Sequence, residues 1–213
     1  MNVYFKPWVG PNYETSERKI LVIGDSHYCK KNVCGQCGVR GNCSIEYMGE
    51  CRNTTINAVK DYLTFRAGGE KGNWMTKTYL PFDKIFIGKE DVSSEESLAM
   101  WNNIAFHNFV QTAISLGASN KNYTNEDYAA SSPMAMEVIN TLRPDVVIVW
   151  GGRAWGALTD EGWHSGENDY SGYYTWADGH KVNCIKIAHP SRACFVEWKE
   201  KLGNFFKKIK IIA

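Results

Sequence analysis

A short apolar run, residues 20–24 (ILVIG), breaks off directly into Asp25-Ser26-His27-Tyr28-Cys29. Four consecutive β-branched or aliphatic residues ended by a glycine read as a strand buried on both faces of a parallel sheet. VVIVW at 146–150, between Asp145 and Gly151, is a second clear buried strand, and VNCIKIA at 182–188 reads as a third strand. Helical patterns separate them. Residues 54–66 carry Ile56, Val59, Tyr62 and Leu63 on one face, and Ser93 followed by Glu95 and Glu96 opens a helix leading into LAMWNNIAF. Residues 126–142 form a helix stopped by Arg143-Pro144, a helix starts at 152–158, and an amphipathic helix closes the chain at 192–208. Residues 106–111 (FHNFVQ) read as a short strand carrying Asn108, and 160–180 as a loop or hairpin. Pro7, Gly10 and Pro11 make 1–18 an irregular arm, and residues 70–90 have no clear period. Strands alternating with helices predict an α/β fold: three layers, α/β/α, around a central, mainly parallel sheet. With no repeat, low-complexity tract or linker, one domain is expected over 1–213, with a cysteine-rich insert at 29–51.

The formal net charge is only +1, so no global basic field marks a nucleic-acid binder, although a local patch is compatible with it. No apolar run approaches the ~20 residues of a membrane span, so no membrane association is expected. The first residues lack the apolar core and cleavage site of a signal peptide, and a cytoplasmic, reducing setting is the expectation. In that setting the seven cysteines call for an explanation. Five of them, Cys29, Cys34, Cys37, Cys43 and Cys51, fall in the insert with spacing C-x4-C-x2-C-x5-C-x7-C. The insert has no apolar periodicity and needs a tether other than burial. Four thiolates around zinc would supply one, and an iron–sulfur cluster uses the same ligands. The expected ligands are Cys34, Cys37, Cys43 and Cys51, with Cys29 the alternative; disulfides or separate thiols are the simpler readings.

In open α/β sheets ligands bind beyond the carboxyl ends of the strands. Three polar groups stand at such ends: Gly24-Asp25-Ser26-His27-Tyr28, Asn108, and His189-Pro190-Ser191. Asp25 could orient or deprotonate a water, His189 could stabilise an oxygen gaining negative charge, and Asn108 could pair with an amide-like edge. Singly, each has a plainer role, as turn residue, cap or satisfied imidazole. In this order, GDSHY, FHN, VVIVWGGRAWGAL and HPS resemble the motifs of the uracil-DNA glycosylase superfamily, over roughly residues 19–206.

That resemblance implies the uracil-DNA glycosylase-like fold and a DNA-repair activity that flips a base and hydrolyses its N-glycosidic bond, needing no cofactor for the chemistry. It implies that Asp25 activates the water attacking C1′ and that His189 stabilises charge on the base O2. Asn108 would pair with the flipped base, and Tyr28 would crowd its C5 position. Gly24, Ser26, His27 and Ser191 would complete the substrate pocket. Arg192 or Phe195 would reach the duplex as a wedge. The partner would be DNA or another nucleic acid, bound by a monomer. The chain departs from the family pattern at His27, where proline is usual, and at Arg192-Ala193-Cys194 after His-Pro-Ser.

Two other readings compete. A glycosylase-like fold could serve as a non-catalytic nucleic-acid or nucleotide-binding module. Alternatively, Gly-Asp-Ser after a strand resembles the first block of SGNH esterases, with Ser26 as nucleophile and His189 as base. Such a triad wants an Asp three residues before the histidine, where this chain has Lys186.

Overall fold

The computed structural model describes residues 3–29, 49–115, 123–159 and 161–210; at 28–29, 49–50 and 113–115 it describes the backbone alone. In chain order the strands are Trp8–Val9 (β1), Ile20–Gly24 (β2), His27–Cys29 (β3), Ile104–Asn108 (β4), Ala113–Ser115 (β5), Val146–Trp150 (β6), Trp163–Ser165 (β7), Ser171–Thr175 (β8) and Lys181–Ile187 (β9). The helices are Thr54–Arg66 (α1), Leu80–Ile87 (α2), Ser94–Asn103 (α3), Asn125–Leu142 (α4), Gly152–Gly156 (α5) and Phe195–Lys208 (α6).

Seven of these strands form one mixed sheet in the order β1-β4-β2-β6-β9-β8-β7. Its centre, β4-β2-β6-β9, is parallel throughout, and β1, β8 and β7 join antiparallel at the edges. Strands β3 and β5 form a separate parallel pair.

The fold follows from strands that are apolar on both faces. Ile20 and Val22 of β2, Ile148 and Trp150 of β6, and Ile185 and Ile187 of β9 point to one core with α1, α2, α3 and α6. Leu21 and Ile23, Val147 and Val149, and Val182 and Cys184 point to the other, with α4 and α5. The period-2 alternation of a strand thus feeds two cores at once, which is why β2 and β6 carry no polar residue, whereas β9 also holds Lys181, Asn183 and Lys186 at positions that are not buried. The two cores differ in composition. The first is aromatic, with Tyr62, Tyr79, Phe82, Trp101, Phe106 and Trp150 in mutual ring contact, and the second is mostly aliphatic.

Helix starts are fixed by reciprocal side-chain caps. Ser93 accepts from the Glu96 amide while Glu96 accepts from the Ser93 amide, and Thr124 and Asp127 do the same for α4. Such a cap typically contributes about 1 kcal/mol.

Several expectations need correction. The arm at 1–18 is not wholly irregular: Trp8–Val9 pairs with β4, and Phe5 and Tyr13 are buried. The helix from Ser94 ends at Asn103, because Ile104, Ala105 and Phe106 already belong to β4, wedged between β1 and β2. Residues 70–90 hold α2, preceded by a π-helical turn, Met75–Tyr79, that precedes Pro81 and masks the 3.6-residue period. The 160–180 stretch contains the β7–β8 hairpin, which extends the main sheet. No helix among the described residues is long and apolar enough to cross a membrane.

Candidate functional site

The first strand of the parallel sheet in chain order, β2, has the second, β4, on one side and the third, β6, on the other. That makes a topological switch point between β2 and β6: the connection from β2 runs to β4 on one side, and that from β6 runs to β9 on the other. In open α/β sheets ligands bind in the crevice outside the carboxyl ends at such a point. Asp25 follows β2, Gly151 follows β6, and His189 stands two residues beyond β9.

The backbone at Asp25 is held as firmly as a strand. The amide of Phe109 donates to the Gly24 carbonyl at 3.0 Å and that of Val110 to the Asp25 carbonyl at 3.0 Å, continuing the β2–β4 pairing past both strands. Gly24 is required by its neighbour, since a Cβ there would lie 2.3 Å from Asn108 Oδ1 and 2.7 Å from the Phe106 ring. The Asp25 side chain is half-buried, and its Oδ1 accepts a hydrogen bond from the Tyr128 hydroxyl of α4. The Arg153 guanidinium, at the start of α5, lies 5.1 Å from the centre of the Tyr128 ring and donates to the Tyr123 carbonyl at 3.1 Å. Burial first, and then the hydrogen bond and charge of Asp25, push the Tyr128 phenol far above its ordinary range, so it remains a donor.

His189 is fixed by the turn that follows it. Its Nδ1 lies 2.8 Å from Ser191 Oγ and accepts from the Ser191 amide at 3.4 Å. An amide can only donate, so Nδ1 carries the lone pair and the ring proton sits on Nε2. Burial holds the imidazole below its ordinary range; the Arg192 charge adds to this, while the Asp25 carboxylate opposes it. At neutral pH His189 is therefore a neutral donor through Nε2–H, within electrostatic reach of Asp25. Gly151, between them in the sheet order, has φ +93, and even a Cβ placed there would come no nearer than 4.0 Å to His189. The Trp150 ring forms an apolar wall, 6.0 Å from the His189 ring and nearly perpendicular to it.

Asn108 and His27 come together elsewhere along the same edge. His27 is 5% exposed; its Nε2 lies 2.8 Å from Thr55 Oγ1 of α1, and Asn108 Nδ2 lies 3.2 Å from each ring nitrogen. Phe5 packs on the His27 ring at 4.5 Å. Gln111 donates to the Asn108 carbonyl at 2.8 Å and lies 3.1 Å from His107 Nε2. Burial lowers both histidines to about 3, so both are neutral. Asn108 and His27 thus face each other in a buried network.

The remaining predicted residues are distributed as follows. Ser26 is half-buried, and no hydrogen bond among the described residues joins it to His189. Ser191 and Arg192 are exposed, Phe195 is half-buried under Lys199, and the adjacent Val196 is 65% exposed. The side chains of Tyr28 and Cys29, and all of Cys34, Cys37 and Cys43, lie outside the described residues. Cys51 is buried in the 3-10 turn before α1, and among the described residues no group of three metal-ligating side chains comes together. A separate groove of about 380 Å³, lined by Arg66, Lys84, Glu90 and Asp91 among others, contains none of the Asp25, Asn108 or His189 side chains.

Sequence reasoning missed Tyr128, Arg153, Thr55 and Gln111. Arg153 had a signal, a basic residue three positions beyond the end of a buried strand. Tyr128 had none, being one aromatic on the core face of a helix. No protein-family model matches this chain, and no curated protein sequence matches it.

Proposed function

We propose that this chain is a base-flipping N-glycosylase with a uracil-DNA glycosylase-like fold, hydrolysing the glycosidic bond of uracil or a related damaged base in nucleic acid. One observation carries this reading: at the switch point of the sheet, a held carboxylate, Asp25, lies within electrostatic reach of a neutral imidazole, His189, that presents Nε2–H. Bond cleavage sends the C1′–N electron pair onto the base, and Nε2–H stabilises the resulting charge on the base oxygen. A water held by Asp25 bonds to C1′ and gives up its proton to the carboxylate. A neutral donor suits this task better than an imidazolium, because its proton strengthens its bond only as charge develops. Ser191 keeps the tautomer, and Arg192 or Phe195 stays in the proposal as the wedge that fills the gap left by a flipped base. Tyr28 stays in the proposal as the wall facing the base C5 position.

The esterase alternative loses ground here. His189 Nδ1 is committed to Ser191, leaving no place for an orienting carboxylate. The binding-module alternative is separated by experiment: abasic-site formation on single- and double-stranded oligonucleotides carrying uracil and other modified bases. Base release that disappears in Asp25→Asn and His189→Ala supports the enzyme; binding with no base release across the panel refutes it.

The cysteine-rich insert is proposed to close around zinc, with iron–sulfur as the alternative, through Cys34, Cys37, Cys43 and Cys51. Elemental analysis of purified protein is expected to find about one zinc per chain. Absence of both zinc and iron, with all thiols freely reactive, refutes that site.

A further inference from the structure

Asp25 has two carboxylate oxygens, and their situations differ. Oδ1 accepts from the Tyr128 hydroxyl, whereas Oδ2 has no hydrogen-bond partner among the described residues. The main chain beneath is fixed by the Val110 amide, so the Tyr128 bond decides the rotation of the side chain. Tyr128 is itself packed: it is 2% exposed, its ring lies against Phe109 at 5.8 Å, and the Arg153 guanidinium lies over the ring at 5.1 Å. Arg153 is tied in turn to the segment before α4 through the Tyr123 carbonyl.

We infer that Tyr128 is a positioning residue that holds Asp25 by one oxygen, so that the other faces the crevice, and that Arg153 keeps the Tyr128 ring in register. The inference rests on the glycosylase reading for its chemical meaning, but the geometry is independent of it. A ring needed only for packing would not require its hydroxyl; a buried tyrosine hydroxyl whose bond falls on a strand-end carboxylate ties packing to that carboxylate's direction. The charged and titratable groups around Asp25 are Tyr128 from α4, Arg153 from α5 and His189 beyond β9, the last two being cationic or potentially so.

The test is Tyr128→Phe, which keeps the ring, its packing and the Arg153 contact. On a single-stranded oligonucleotide with one deoxyuridine, kcat is expected to fall on the order of 10²-fold with KM unchanged, as misplacement of a reacting group predicts. Arg153→Met lowers kcat in the same way by less, on the order of tenfold. Wild-type kcat in Tyr128→Phe overturns the inference while leaving the glycosylase reading intact. A second readout needs no substrate: the side-chain carboxyl ¹³C chemical shift of Asp25 at neutral pH, which reports its hydrogen bonding. It is expected to move in Tyr128→Phe relative to the wild type. Should the wild type release no base, a displaced resonance still supports the positioning role and only the glycosylase reading falls; coincident resonances overturn the inference.

Discussion

Two polar clusters lie along the carboxyl edge of one sheet and are built on opposite principles. In the first, Asp25 and His189 are half-buried, each is held through one atom, and each keeps a second atom with no partner among the described residues: Oδ2 of Asp25 and Nε2–H of His189. In the second, His27 and Asn108 are buried and bonded to each other, to Thr55 and to Gln111. Only two residues separate Asp25 from His27 in the chain, yet one side chain keeps spare capacity and the other has spent it. Unsatisfied hydrogen-bonding capacity at a rigid position is what chemistry can use, whereas satisfied capacity in the interior serves the fold.

Substitutions in the two clusters are expected to act differently, one on activity and the other on stability. Asp25→Asn and His189→Ala have the largest expected effect, a loss of base release on the order of 10³-fold with the melting temperature nearly unchanged. His27→Ala lies on the other side. It leaves Asn108 and Thr55 without their buried partner and opens a cavity beside Phe5, so a stability loss of about 3 kcal/mol is expected in denaturant unfolding. A His27→Ala protein as stable as the parent would remove the distinction between the clusters.

A smaller effect comes from pH. His27 and His107 fall to about 3 when folded and would titrate near 6.5 when unfolded, so from 6.5 down to about 3 the unfolded state binds more protons. Stability due to these two groups is present above 6.5 and lost as pH falls. Asp83 opposes them. It is buried, accepts from Tyr62, Ser97 and Trp101, and is raised to about 6, so between its ordinary 3.8 and 6 the folded state binds the extra proton. Two protons against one leave a net fall of roughly 1 kcal/mol per pH unit between about pH 6 and pH 4, measurable by urea unfolding at each pH. The slope should lessen by about half or more in His27→Gln.

How far the sequence disclosed this arrangement depends on how local each signal is. β2 and β6 were legible because a strand buried on both faces must be apolar at every position, and β9 because Val182, Cys184, Ile185 and Ile187 keep an apolar run despite Asn183 and Lys186. β4 was obscured, since Ile104, Ala105 and Phe106 continue the helical spacing of Leu98 and Trp101 and only tertiary pairing between β1 and β2 ends the helix. β1 is two residues long, below what any pattern can register. Asp25 and His189 were legible as polar residues directly after apolar runs. Tyr128 was not, because its hydroxyl meets a carboxylate 103 residues away and nothing nearby in the chain signals that meeting. His27 was legible as a polar strand-end residue, but its burial depends on Phe5 and Thr55 from other parts of the chain.

The most direct measurement is abasic-site formation by the wild type, Asp25→Asn and His27→Gln on the same panel of modified oligonucleotides, each below its own melting temperature. Base release by the wild type is expected on at least one modified base, on the order of 10³-fold slower in Asp25→Asn and within about tenfold of wild type in His27→Gln. Equal loss in both variants, or no release by the wild type from any substrate, would contradict the account.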